Sequence, residues 1–167
     1  SSKAEISPDF KYFAVQMSNY TTPSQVWVVP ADKLSKKSFM VADMKGKDYR
    51  EGDFALPSLI FMTTTDGFEL PAAITYPKNF DPLEKSPVHM DIYGGPDTPL
   101  VRDRWTIPDD RNQWWSENGI IEIVADCRAA GHNGRAGMDM IYKRLGELEV
   151  KDFVEWANYL KGLPYVI

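Results

Sequence analysis

Apolar and polar residues alternate over short runs in the first fifty positions. Residues 11–17 (KYFAVQM) and 25–29 (QVWVV) alternate or run apolar, which predicts β-strands. The turn-rich SNYTTPS lies between them, Ser7-Pro8-Asp9 opens a turn before the first, and the polar ADKLSKKS follows the second. FMVADM then reads as a short third strand. Two or three strands do not hold a sheet unaided. The segment therefore either leans on the rest of the chain or ends a larger β domain.

The pattern changes after residue 50. The polar stretch DYREGDFA links to SLIFMTTTDGFELPAAITYP, read as two strands joined at Asp66-Gly67, a pair suited to positive φ. SPVHMDIYG predicts a third strand, apolar at most positions, as for a strand covered on both faces. Residues 111–118 (RNQWWSEN) predict a short helix with Gly119 as its left-handed cap, and Asp109-Asp110 supply negative charge at its start. IIEIVA at 120–125 is a further buried strand. The stretch from Asp139 to Leu163 reads as one long helix, with Val150, Phe153, Val154, Ala157 and Leu160 on its apolar face and Pro164 ending it. Tyr165-Val166-Ile167 reads as the opening of another strand. Alternating strands and helices predict an α/β fold with a largely parallel sheet over 51–167, preceded by a β segment over 1–50.

Composition narrows the function classes. A net charge of −5 and the absence of a basic run speak against nucleic acid as a partner. The longest apolar run falls far short of the roughly 18 residues that span a membrane. Ser1-Ser2-Lys3 lacks the charged-then-apolar start of a signal peptide. A single cysteine, Cys127, excludes an internal disulfide. Two histidines without a cysteine pair predict no metal site, and nothing calls for a cofactor. The 13% aromatic content is core and pocket-lining material.

Chemistry concentrates where strands end. Tyr93-Gly94-Gly95-Pro96 closes an apolar strand, and sites in open α/β sheets lie at such carboxyl ends. Two readings stand: a tight turn with a packed tyrosine, which the spacing alone favours, or a phenol placed to donate to a developing oxyanion. DCRAAGHNG at 126–134 forms a second small-residue loop at a strand end. Asp126 and Arg128 are read there as structural, pairing locally or holding loop backbone. Cys127 as a nucleophile with His132 as base is disfavoured, because nothing supplies an orienting third group. Glu147, Glu149 and Asp152, with Lys143, Arg144 and Lys151, read as a solvated, salt-bridged helix face. His89, inside a strand, reads as a hydrogen-bonded core residue. No serine occupies a Gly-x-Ser-x-Gly elbow.

LPAAITYPKNFDPLEKSPVHMDIYGGP resembles the start of the peptidase domain in the prolyl oligopeptidase family, in its dipeptidyl peptidase IV branch. WWSENGIIEIVADCRAAGHNG is similar to the next block of that family. Arg144, Leu145, Gly146, Glu149 and Asp152 fill a third. Residues 5–50 resemble, more weakly, the last blade of the β-propeller that precedes this domain. Ala129 stands where the family loop has glycine, so its φ must be negative or strained.

The resemblance implies the N-terminal part of an α/β-hydrolase domain, with Ser, Asp and His following beyond residue 167. It implies a peptide substrate, release of N-terminal dipeptides after Pro or Ala, and an exported or periplasmic parent. Tyr93 would stabilise the oxyanion, and this chain alone would be inactive. The rival is a non-enzymatic interaction module from a member that has lost its triad. In the family's sheet order the strand at 87–92 neighbours the serine's strand, so its edge is expected to be bare here and to invite self-association.

Overall fold

The computed structural model describes residues 2–32, 37–50, 52–106 and 110–167. The chain forms two compact units, Ser1–Asp53 with Asp103–Ile107, and Phe54–Arg102 with Pro108–Ile167. The division falls a few residues beyond the break expected at residue 50, and the 103–107 segment belongs with the first unit.

The first unit is a four-stranded antiparallel meander: β1 (Ser2–Ile6), β2 (Tyr12–Met17), β3 (Gln25–Pro30) and β4 (Phe39–Asp43), hydrogen-bonded in that order. β1 was not legible from the pattern, because SKAEI offers only Ala4 and Ile6 as apolar positions. It forms by pairing along β2, with Ile6 opposite Phe13. The β1–β2 turn is tied by the Ser7 hydroxyl, which donates to Asp9 Oδ1 at 2.7 Å and accepts from the Tyr12 amide at 3.1 Å. Asn19 Oδ1 accepts from the Thr21 and Thr22 amides and shapes the next turn. Phe10, Tyr12, Met17, Phe39, Met40 and Val41 are exposed, so this sheet encloses no core of its own among the described residues.

The second unit holds a sheet in the order β5-β6-β8-β7: β5 (Ser58–Thr63), β6 (Glu69–Thr75), β7 (Val88–Ile92) and β8 (Ile121–Ala125). Only β7 and β8 pair in parallel; β5–β6 and β6–β8 are antiparallel. The sheet is mixed, not largely parallel, because the Asp66-Gly67 hairpin turns β6 against β5 and β6 then lies antiparallel to β8. Gly67 takes the positive φ that its turn needs. β6 and β8 are central, and Leu70, Ala72, Ile74, Ile121, Ile123 and Ala125 are fully buried. β7 is an outer strand. At its start, Ser86 and Val166 form a parallel bridge: the Ser86 amide donates to Tyr165 O, and the Ile167 amide donates to Ser86 O.

Helix α1 (Asp110–Glu117) ends as expected at Gly119, with φ +72°. Asp109 falls outside the described residues. Gln113 clamps Ala55 through both its amide atoms. After β8 come a 3₁₀ turn (Arg128–Ala130), the short α2 (Gly134–Met138), a second 3₁₀ turn (Asp139–Ile141) and α3 (Leu148–Lys161).

The long helix expected from Asp139 therefore starts at Leu148. Positive φ at Lys143 and Gly146 breaks the chain before it, and Glu149 Oε2 accepts from the Gly146 amide at the helix entrance. The buried stripe of α3 is Glu149, Asp152, Phe153, Trp156 and Leu160. Val150 and Val154, expected on the apolar face, are 57% and 52% exposed. Glu149 and Asp152, expected in solvent, are buried instead.

Asp152 turns inward because Arg128 does. Both side chains are 0% exposed. The Arg128 Nη2 lies 2.6 Å from Asp152 Oδ1, its Nε 3.0 Å from Oδ2, and its own backbone amide donates to Oδ2 at 2.9 Å. The other face of the guanidinium fork donates to Asp66 at 2.8 and 3.1 Å, and the Phe68 ring stacks 4.5 Å from its central carbon. Glu155 accepts from both the amide and the hydroxyl of Thr65. One helix thus grips the β5–β6 turn and the loop after β8 together. Around this anchor pack Met62, Leu70, Cys127, Ala129, Phe153 and Trp156.

Asp152→Leu is expected to destabilise this unit by about 3–5 kcal/mol, because it strands a buried guanidinium and a buried amide; a urea titration reads it. The pairing with Arg128 holds the Asp66 carboxyl well below the usual carboxylate range. Its stabilisation is complete above about pH 4 and is lost as pH falls through the lower folded value. Melting temperature should therefore drop with acid more steeply in the native chain than in Asp66→Asn, and the two curves should converge at low pH.

Candidate functional site

β7 delivers Tyr93 to the carboxyl end of the sheet and leaves it 63% exposed. The chain then runs through a loop, 94–101, held by the loop that follows β8. The Cys127 thiol points to Gly94 O at 3.9 Å, and the Asp97 amide donates to Ala129 O at 2.9 Å. The Asp126 carboxylate accepts from the Leu100 amide at 3.0 Å and the Val101 amide at 2.9 Å. Its Oδ2 also meets His132 Nε2 at 2.9 Å. The Trp156 indole donates to the Asp126 carbonyl, which links this loop to the core.

The two glycines after Tyr93 serve different ends. Gly94 has φ +79°, and a Cβ there would sit 3.2 Å from the Phe153 ring. Gly95 has no positive φ, but a Cβ there would fall 2.2 Å from Tyr93 Cε1. The tyrosine ring lies back across it. Asp126 holds loop backbone and His132, while Arg128 is buried in the anchor; they do not pair with each other. Ala129 adopts the 3₁₀ turn without positive φ, so the missing family glycine leaves no strain there.

Other sequence readings resolve as follows. Cys127 is buried, desolvation pushes its thiol up from the ordinary value, and His132 faces Asp126 instead of it. A thiol–imidazole pair is absent. His89 stacks its ring on Trp115, centroids 4.2 Å apart, and its buried Nδ1 has no hydrogen-bond partner among the described residues. Stacking took the place of the expected hydrogen bond. Ser116 is buried and accepts from the Lys78 amide, a structural role. A cavity of about 440 Å³ lined by Lys78, Asp81, Ser86 and Gly119 lies at the opposite, amino end of the parallel strands. Among the described residues no three His, Cys, Asp or Glu side chains gather to hold a metal, and no helix is long and apolar enough to cross a membrane. Sequence reasoning missed Asp66 as a partner of Arg128 and Gly95 as the surface under Tyr93. The Asp66 contact is a long-range pairing with no local signal. Gly95 reads in the sequence like any other turn glycine.

An α/β unit with a mixed sheet, and a tyrosine on a braced loop at the carboxyl end of its parallel pair, puts the candidate site where open α/β sheets carry theirs. Residues 105–166 match the prolyl oligopeptidase family. Over 152 residues the chain is 32% identical to the probable dipeptidyl-aminopeptidase B of Ajellomyces dermatitidis, covering 89% of this chain and 16% of that protein. Over 115 residues it is 37% identical to that of Trichophyton verrucosum, covering 68% of this chain and 13% of that protein. The crystal structure of Porphyromonas gingivalis dipeptidyl peptidase 4 superposes with a TM-score of 0.82 at 27% identity, over 99% of this chain and 23% of that one. The chain is thus similar to the prolyl oligopeptidase family over residues 105–166, and to dipeptidyl peptidases over most of its length. It spans less than a quarter of the length of these relatives.

Asp126→Ala should free the Leu100 and Val101 amides. Hydrogen exchange at these two positions is expected to accelerate by an order of magnitude or more, roughly the cost of losing charge-assisted bonds. Exchange in β6 and β8 should stay close to that of the native chain.

Proposed function

We propose that the protein containing this chain is a serine-type dipeptidyl peptidase that releases N-terminal X-Pro and X-Ala dipeptides from peptides. In this reading the first unit is the end of a β-propeller, and the second is the start of the α/β-hydrolase domain. The Tyr93 hydroxyl donates a hydrogen bond to the oxyanion that forms when a serine, supplied by residues beyond 167, attacks the peptide carbonyl. The backbone N–H after that serine is its partner donor. The chain by itself has no serine in an elbow motif and does not turn over substrate.

One observation carries the reading. Ser86 gives both its amide and its carbonyl to Tyr165 and Ile167, while Pro87 O accepts from Ile121 in β8. In a parallel ladder successive residues face opposite neighbours. Val88, Met90 and Ile92 therefore turn their backbone groups to the open side of β7, the side on which Tyr165 and Ile167 pair with Ser86. A strand continuing there ends beside Tyr93, where a nucleophile is needed.

The test is turnover of an Ala-Pro or Gly-Pro chromogenic substrate by the longer protein. Tyr93→Phe is expected to lower kcat by roughly 10²–10³ with little change in KM. Normal turnover in that variant overturns the oxyanion role. No turnover in the native protein favours the rival reading, a non-enzymatic interaction module.

The open side of β7 also bears on the chain in isolation. Unpaired, partly apolar strand edges take up other strands. The 167-residue chain is expected to self-associate through β7. Sedimentation at micromolar concentration checks this, and a clean monomer counts against it.

A further inference from the structure

We infer that Gly95 is a positioning residue for the Tyr93 hydroxyl; the inference rests on the oxyanion reading above. Tyr93 is 63% exposed, and no hydrogen bond from the described residues holds its hydroxyl. A solvent-facing phenol of this kind is normally free to change rotamer. What limits it here is the surface beneath the ring. A Cβ on residue 95 would lie 2.2 Å from Cε1, 2.8 Å from Cζ and 3.0 Å from Cδ1 of Tyr93, so the ring fills the volume that any side chain at 95 would claim.

The glycine is not required by the backbone, because its φ is not positive. The neighbouring Gly94 is the one whose conformation demands glycine. The seat under the ring is itself fixed. Pro96 follows directly, the Asp97 amide is bound to Ala129 O, and Leu100 and Val101 are bound to Asp126. The ring therefore rests on a braced floor, and the floor exists only while residue 95 has no Cβ. Alanine at 95 fits the chain but evicts the ring into another rotamer, which carries the hydroxyl away from its place by ångströms.

A displacement of about 1 Å at a catalytic group costs on the order of 10² in rate. In the longer protein, Gly95→Ala is expected to lower kcat about 10²-fold with KM nearly unchanged. The loss should vanish in the Tyr93→Phe background, where there is no hydroxyl to misplace. A merely structural glycine would instead cost the same factor in both backgrounds. An NMR readout on the 167-residue chain stands apart from activity. The Gly95 Hα protons, lying under the aromatic ring, should be shifted upfield and should return to ordinary positions in Tyr93→Leu.

Normal turnover in Gly95→Ala overturns the inference, and so does an undiminished loss in the Tyr93→Phe background. Ordinary Gly95 Hα shifts in the native chain overturn it as well. Normal turnover in Tyr93→Phe alone defeats the oxyanion reading, and the Hα shifts then still report whether the ring sits on Gly95.

Discussion

The second unit depends on one buried guanidinium. Arg128 joins three segments that are far apart in sequence: the β5–β6 turn through Asp66, the loop after β8 through its own backbone, and α3 through Asp152. A lone charge at that depth would be prohibitive, and two carboxylates with a stacked ring offset it. A pairing of this kind adds modestly to net stability when compared with an apolar replacement. Its larger effect is on geometry. The bidentate contact fixes the rotation of α3 about its axis, and that rotation decides which residues of the helix face the core.

That rotation explains where sequence reading fell short on the helix. A search for apolar periodicity excludes charged residues by construction. It chose Val150 and Val154, both exposed, and passed over Glu149 and Asp152, both buried. The true stripe, 149, 152, 153, 156 and 160, has helical spacing once the acids are admitted. The same limit hid the helix start, since Lys143 and Gly146 break the chain through positive φ and not through composition. The strands fared better. β2 to β8 all announce themselves by β-rich runs with turn residues between. β1 does not, since its place comes from pairing with β2. At the candidate site, the place of Tyr93 at the end of an apolar strand was legible. What holds its loop was not, because amide-to-carboxylate contacts such as Leu100 to Asp126 span residues that share no local pattern.

The two loops at the carboxyl end of the sheet divide the work of stiffness. The loop after β8 is the rigid partner: Cys127, Arg128, Ala129 and Ala130 are buried almost completely, and Gly137 lets the backbone of α2 approach Arg128 O too closely for any side chain. The loop after β7 has no comparable core. Half of its residues are exposed, and it borrows order through amides and a carbonyl aimed at its neighbour. This arrangement follows from chemistry. A loop that stays open to solvent cannot be stabilised by apolar area. Hydrogen bonds to a buried, core-anchored carboxylate supply order without covering the tip.

Tyr93 then sits at the end of a chain of constraints that begins at Arg128. The guanidinium fixes α3 and the loop after β8. That loop presents Asp126 and Ala129 O, and these fix 97–101. The fixed segment, with Pro96, holds Gly95, and Gly95 supports the ring. Each step weakens outward, from a fully buried ion pair to backbone hydrogen bonds to a van der Waals contact in solvent. A phenol held this way keeps its preferred position through contact alone, with its outer edge left to solvent. A deeper seat would hold the hydroxyl more firmly but would take it out of solvent.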